Sequence, residues 1–319
     1  MSDIKKILVI RLSSLGDIIL SFPLLKKLKE KFPEAELHFL TKEIYKDLIR
    51  MNQSVDKILI LKEPLKETRK EIGESDYDLI IDIHRNFRSI YLSAFNGRKI
   101  KRYRKDNFRK FLLVKFKIDL FKNIIPVYRK YLNTVSEYLT GDEKKFSISE
   151  LSFKKEKVIE SKYMVIAPSS RHFTKTYPKE KFVSYINNLH ERSDIKVILA
   201  GDNSEKDKSI CRHISENCEY VTDLCGKLSI DELAGVLFYS SEIITNDSSI
   251  LHFSEALGRN VTAIFGCTVK QFGFFPQLED SKVMEINGLK CRPCTHIGRD
   301  KCPEGHFNCM NEIELIIDN

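Results

Sequence analysis

No stretch of the 319 residues supplies the run of about 20 apolar residues that a membrane-spanning helix needs. The longest apolar pieces are fragments such as Phe111-Leu112-Leu113-Val114. The opening Met-Ser-Asp-Ile-Lys-Lys enters an apolar strand at once, lacks a small-residue cleavage site and is too short for a signal peptide's apolar region. The expectation is a cytoplasmic protein. Neither GxGxxG nor GxxxxGK[ST] occurs, so a dinucleotide-binding or P-loop reading has no motif behind it.

What the chain does have is enough apolar material, 42% of residues, for two ordinary domains, with 31% charged residues spread among them. Its net charge of +8 is concentrated. Residues 98–117 (RKIKRYRKDNFRKFLLVKFK) hold ten Lys or Arg against one acid, a net of +9 that leaves the remainder at −1. Eight cysteines in an intracellular chain point to metal or redox chemistry before structural disulfides.

Short β-rich runs alternate with helix-length segments. Lys6 to Arg11 reads as a buried strand, a helix is expected over about 18–31, and 36–40, 57–61 and 78–83 read as further strands. Residues 85–140 read as mainly helical. A polar stretch at 141–145, a short β-like piece and a charged run at 154–157 place the interdomain link around 145–160. The alternation then restarts, with strands at 163–167, 196–200, 243–245 and 261–265 and helices near 179–192, 204–216 and 249–257. Strands separated by helices imply parallel sheets with crossover connections. The expected fold is therefore α/β, two Rossmann-like domains with parallel sheets facing a central cleft, where such sheets bind ligands.

Three loops beyond strand ends carry candidate chemistry. In Arg11-Leu12-Ser13-Ser14-Leu15-Gly16-Asp17, Gly16 permits a tight turn and the following amides open a helix, a favourable place for an anion. The alternative is an ordinary strand-to-helix turn capped by Asp17. Pro168 to Pro178 places Ser169, Ser170 and Lys175 where they can hold phosphate oxygens, or forms a solvated polar loop. Thr245 to His252 offers Asp247, Ser248 and Ser249 as a second anion nest, or as simple capping, with His252 one helical turn on.

Together these segments resemble the family 9 glycosyltransferases of the bacterial lipopolysaccharide heptosyltransferase type. RLSSLGDIILSFP is similar to that family's N-terminal signature, Pro168–Pro178 to its lysine-containing donor loop and Gly201–Glu205 to its Gly-rich turn with a following acid. TNDSSILHFSEALG resembles its C-terminal motif, and Ile264–Thr268 the strand and turn after it. The matches keep family order from residue 6 to about 310. The resemblance implies a GT-B fold and an inverting transfer of heptose from ADP-heptose to the inner core of lipopolysaccharide or lipooligosaccharide. Residues 1–155 would then bind acceptor and 156–319 nucleotide sugar. Carried over, Asp17 is the general base, Lys175 and Asp247-Ser248-Ser249 hold the diphosphate, and Glu205 the ribose. Ser249 stands where the family commonly has glycine, Tyr177 where it has Trp, and Cys267 where proline is more usual, which leaves the transferred sugar open.

Such a reaction needs a carboxylate to accept the acceptor hydroxyl's proton and positive groups to meet the charge growing on the diphosphate. Lys175 and helix N-termini suit the second task, and neither donor loop has a DxD motif, so no cofactor is expected for catalysis. In the basic segment, Arg102, Arg104, Arg109 and Lys110, near Ser14 and Gly16 in function, suit an anionic glycolipid acceptor. The interleaved Phe108, Phe111, Leu112, Leu113, Val114 and Phe116 suit the cytoplasmic face of the inner membrane, peripherally, or a helix whose apolar side enters the core. No nucleic-acid reading motif accompanies the patch. Cys291, Cys294, Cys302 and Cys309, with His306, are compatible with structural zinc, ahead of free thiols and disulfides. Cys211, Cys218 and Cys225 read as small packing residues. Two other readings stay open: the same fold using another nucleotide sugar on a surface glycan, and a non-catalytic zinc-bearing basic protein that binds nucleic acid.

Overall fold

The structure, a computed structural model, describes residues 4–95, 98–139, 157 and 159–317. The chain divides into two compact units, Met1–Lys105 with Ile125–Ser152, and Asp106–Ile124 with Phe153–Asn319.

In chain order the first stretch contains β1 (Lys6–Ile10), α1 (Leu15–Ile19), α2 (Phe22–Lys31), β2 (Glu36–Thr41), α3 (Lys46–Arg50), β3 (Lys57–Ile60), α4 (Leu65–Glu74), β4 (Leu79–Asp82), α5 (Phe87–Ser93) and β5 (Lys99–Arg102). α6 (Asn107–Phe116) belongs to the second unit, and α7 (Val127–Leu132) returns to the first. The first sheet runs β3-β2-β1-β4-β5 with all neighbours parallel. Its central strands are covered on both faces, which is why β1 and β4 read as continuous Ile, Leu and Val rather than alternating. The helix expected over 18–31 is two: α1 ends at Ile19 and α2 begins at Phe22, with Pro23 early in it, where a missing N–H costs nothing. α2 buries Phe22, Leu24, Leu25 and Leu28, each worth roughly 1.5–3 kcal/mol of transfer free energy.

One expectation is overturned outright. Within the segment read as helical, Lys99–Arg102 forms β5, paired to β4 in register Ile81↔Lys101 and Asp82↔Arg102. Its KIKR sequence has the charge that an edge strand uses to discourage further pairing, and that charge hid the strand.

The second unit contains β6 (Tyr163–Ala167), α8 (Lys179–His190), β7 (Lys196–Leu199), α9 (Glu205–Glu216), β8 (Val221–Asp223), α10 (Ile230–Tyr239), β9 (Ile243–Asn246), α11 (Ser249–Ala256), β10 (Thr262–Phe265), β11 (Lys282–Glu285) and α12 (Asn308–Asn311). Its parallel sheet runs β11-β10-β9-β6-β7-β8. Both are Rossmann-type orders, matching a GT-B-like pair of α/β domains. The basic segment is split between the units. α6 joins the second because the Lys117 ammonium donates to the carbonyls of Cys291 (3.1 Å) and Pro293 (2.7 Å) and Lys110 lies over the rings of Phe272 and Phe274. The β-like piece and most of the expected link lie outside the described residues.

Candidate active site

In an open parallel sheet, ligands collect beyond the carboxyl ends of the strands at the point where strand order reverses. In the first unit that point lies between β1 and β4, so the loops after Ile10 and Asp82 meet there. Asp17, on the first turn of α1, is the centre of this cluster. Its Oδ2 accepts from Arg11 Nη2 at 2.6 Å and from Ser14 Oγ at 2.9 Å, and its Oδ1 accepts from the Tyr131 hydroxyl at 3.0 Å. The side chain is 18% exposed. Burial alone would raise its pKa, but the Arg11 charge and the hydrogen bonds from Ser14 and Tyr131 outweigh that and hold it below the ordinary carboxylate value. Asp17 is therefore ionised at neutral pH.

The contacts of other groups here were not legible in the sequence. Arg11 is fixed by a second bond from Nη1 to the Ile83 carbonyl (2.8 Å) and lies 5.7 Å from the Tyr131 ring centre. Asp82, fully buried, accepts from the amides of His84 (3.0 Å) and Arg85 (2.7 Å) and so shapes the β4 loop. Burial, then Arg11 and Lys105, push His84 down to about 4, which keeps its ring neutral at physiological pH. Strand order was the signal that leads to His84: it follows the other switch-point strand. Of the sequence candidates, Ser14 touches Asp17, Gly16 lies buried beside it in α1, Arg102 donates to Ser93 Oγ at 3.1 Å, and Arg104 is exposed. Arg109 and Lys110 lie on α6 in the other unit, so the four basic candidates do not form one cluster within a unit.

The second unit's switch point lies between β6 and β9. There the Lys175 ammonium pairs with Asp247 Oδ2 at 2.7 Å, and Thr268 Oγ1 donates to the same oxygen at 2.7 Å. Ser170 Oγ donates to the Asp247 carbonyl (3.2 Å), and Ser248 caps α11, accepting from the Ile250 amide at 3.3 Å. Lys206 donates to the Ser170 carbonyl at 2.6 Å, and Ser169 Oγ hydrogen-bonds Asp207. Two cations, a hydroxyl cluster and a helix N-terminus thus converge beyond two adjacent strands, an arrangement suited to a diphosphate. The Tyr177 amide donates to Asn246 Oδ1 at 3.0 Å, tying the lysine loop to the end of β9.

Glu205 is placed differently from its neighbours. Its side chain is 92% exposed and pairs with Lys208, whereas Asp207 faces Ser169 and accepts from the Asp202 amide at 3.0 Å. A Cβ on Gly201 would come within 2.8 Å of Cys225 Sγ and 3.0 Å of Asp207 Oδ2, so this turn requires glycine. Ser249 opens α11, and His252 is buried further along it, its ring 5.9 Å from that of Phe274.

Cys291, Cys294, Cys302 and Cys309 line one small cavity of about 10 Å³ with Cys267, His306 and Thr174. A hydrogen bond from Cys267 lowers the Cys294 thiol pKa, against the effect of burial. This segment also braces the Lys175 loop: Arg299 donates its amide to Thr174 Oγ1 at 2.8 Å and its Nε to the Cys294 carbonyl at 3.2 Å. Among the described residues, however, the trio of metal-ligand atoms within 4.8 Å of one another is Cys211, Asp223 and Cys225, in the core beneath the Gly201 turn.

The sequence model of glycosyltransferase family 9 (heptosyltransferase) matches residues 66–304, about three quarters of the chain. The chain belongs to this family. It is a glycosyltransferase. A Campylobacter coli protein named lipopolysaccharide heptosyltransferase 1 is 27% identical over 293 residues, 82% of this chain and 84% of that one. Among solved structures, E. coli ADP-heptose LPS heptosyltransferase II superposes with a TM-score of 0.71 at 18% identity, covering 96% of this chain and 98% of that one. E. coli heptosyltransferase WaaC with ADP-2-deoxy-2-fluoro heptose gives 0.69 at 18% identity, covering 91% and 96%. These likenesses establish a shared GT-B-like fold.

Proposed function

We propose that this family 9 glycosyltransferase transfers a heptose from ADP-heptose, with inversion at the anomeric carbon, to the inner core of lipopolysaccharide or lipooligosaccharide. The observation that carries the reading is the cluster of Lys175, Asp247, Thr268 and Ser248 at the second switch point, a cradle for a leaving diphosphate. Asp17 accepts the proton of the acceptor hydroxyl as the bond to the sugar forms. The diphosphate departs with the electron pair of the broken bond, its charge met by Lys175 and the α11 N-terminus. The relatives named above support heptose and ADP as the donor parts. A membrane-bound anionic acceptor places the enzyme peripherally on the inner membrane's cytoplasmic face, with no nucleic-acid partner. Assayed against ADP-heptose, ADP-glucose, UDP-glucose and UDP-N-acetylglucosamine with heptose-deficient core acceptor, turnover is expected with ADP-heptose. Preference for a UDP-hexose would replace heptose with another sugar on the same fold.

The reading also includes a structural metal held by Cys291, Cys294, Cys302 and Cys309. Four thiols on one small cavity fit such an ion in kind and number, although their sulfurs must draw together to reach tetrahedral distances. Bound there, it would fasten the segment that braces Thr174, and catalysis itself would not need it. Elemental analysis of protein purified without chelator should give about one equivalent of zinc, lost in Cys291→Ser/Cys294→Ser. Metal-free wild-type protein of equal melting temperature would remove this element of the proposal.

A further inference from the structure

On an ordinary surface helix the apolar residues turn to the core and the charges to water. α6 departs from this: large aromatic residues face water alongside its exposed charges. Leu113 is its buried residue, while Phe108 is 70%, Phe111 51% and Phe116 54% exposed. Ile118, Leu120 and Ile124 continue the exposed apolar surface beyond the helix end. The aromatic residues are clustered: the rings of Phe111 and Phe116 meet edge to face at 5.9 Å, and the Lys115 ammonium lies 5.6 Å and 5.5 Å from their centres. Apolar surface of this extent, interleaved with charge of one sign, marks an interaction site.

The element is also firmly backed. Lys110 reaches inward over Phe272 and Phe274. Lys117, in the left-handed conformation that ends α6, donates to the carbonyls of Val114, Cys291 and Pro293. Gln271 donates to Asp119 at 2.9 Å. The exposed rings are thus held on a braced platform.

We propose that residues 107–124 dock the protein on an anionic phospholipid surface, with Phe108, Phe111 and Phe116 entering the interface and Arg109, Lys115 and Lys122 meeting headgroup phosphates. Charge selects this occupant: Arg109, Lys115 and Lys122 are basic, and the stretch's one acid, Asp119, accepts from Gln271. Its ten-residue helix is too short to span a bilayer and of a kind that lies in the interface plane. The inference deepens the reading that the acceptor is membrane-bound and rests on it for its purpose, but its vesicle-binding measurement uses no acceptor.

The chain contains no tryptophan, so Phe111→Trp introduces a sole indole reporter. With vesicles of phosphatidylcholine carrying about 30% phosphatidylglycerol, its emission should shift to the blue, and partitioning should fall about tenfold as salt rises past the point where charges are screened. On that background, Lys115→Glu/Lys122→Glu should weaken binding by more than about 25-fold, at roughly fivefold per basic residue removed. Phe108→Ser/Phe116→Ser should abolish the blue shift. A tryptophan at the exposed Ile44 of the other unit should stay unshifted. An indole at 111 that ignores anionic vesicles, or one that shifts with protein concentration in the absence of lipid, overturns the proposal, the latter in favour of a second copy of the chain. Transfer to a lipid-free core oligosaccharide separates the two ideas. Vesicle binding without any transfer leaves docking intact and removes the reading of heptose transfer to the core, and transfer without vesicle binding does the reverse.

Discussion

Asp17→Asn should lower turnover about 10²- to 10⁴-fold, the usual contribution of a positioned proton acceptor, while leaving the dissociation constant for ADP unchanged. The second half follows from where the groups lie. Asp17 and its partners Arg11, Ser14 and Tyr131 belong to the first unit, and every residue assigned to the diphosphate belongs to the second. The amide keeps an oxygen for Ser14 or Tyr131 but deprives the nearly buried Arg11 of its counter-ion, so a loss of about 1–3 kcal/mol in stability should accompany the kinetic effect. The two are separable by measuring rates well below the variant's melting temperature. The pH dependence supplies a further check. A carboxylate held below its ordinary value contributes stability that is complete above that value and lost as pH falls through the lowered one. The wild type should therefore lose this contribution only in strong acid, and the asparagine variant should lack that acid-side dependence. Between pH 5 and 8 Asp17 stays ionised, so an acidic limb of kcat/KM in that range belongs to another group. A variant with near-wild-type turnover would remove Asp17 from the chemistry.

Lys175→Ala should act on both binding and rate. The ammonium is mostly buried against Asp247 and has three donors, so it can keep that pair while meeting phosphate oxygens. Removing it takes away the positive charge that the proposal sets against the leaving group and leaves the Asp247 carboxylate, itself buried, supported by Thr268 alone on that oxygen. Loss of one such group costs on the order of 10²–10³ in turnover, and the negative charge left behind should weaken ADP binding by at least about tenfold. Calorimetric titration of ADP together with initial rates distinguishes this from the Asp17 variant. If the alanine variant binds ADP as tightly as the wild type, the diphosphate does not sit at Lys175. Lys175→Arg should recover part of the affinity, since charge survives while geometry changes.

The sheet strands of both units were legible wherever they are central, because a strand covered on both faces must be almost wholly apolar, as in Leu79–Asp82 and Tyr163–Ala167. β5 was hidden for the opposite reason, being a basic edge strand. The motif loops were legible as loops, yet their polar partners were not. Tyr131 reaches Asp17 across 114 positions of sequence, and no local pattern announces such a bond. Arg11 was in plain view at the end of β1, but its role as the cation that keeps Asp17 charged depends on where the side chains point. The donor turn shows what local rules can add. Ser204 caps α9 by accepting from the Asp207 amide at 3.2 Å, which puts Asp207 at the third helical position, from which an acid turns back over the cap. Glu205, at the first position, points to solvent. Capping arithmetic would have favoured Asp207 as the acid facing the Ser169 loop.

The cysteines divide along similar lines. Cys211 and Cys225 pack in the core of the second unit, as small residues do, and also bring two sulfurs together beside Asp223. Cys291 to Cys309 close a loop that braces Thr174, immediately before the donor lysine. That placement gives the C-terminal segment a mechanical role beside the Lys175 loop.

A crystal structure of the protein soaked with ADP tests the central claim most directly. The account predicts diphosphate oxygens within hydrogen-bonding distance of Lys175 Nζ and of the amides opening α11. A nucleotide bound elsewhere, with the Lys175–Asp247 pair intact and no phosphate beside it, would contradict the account.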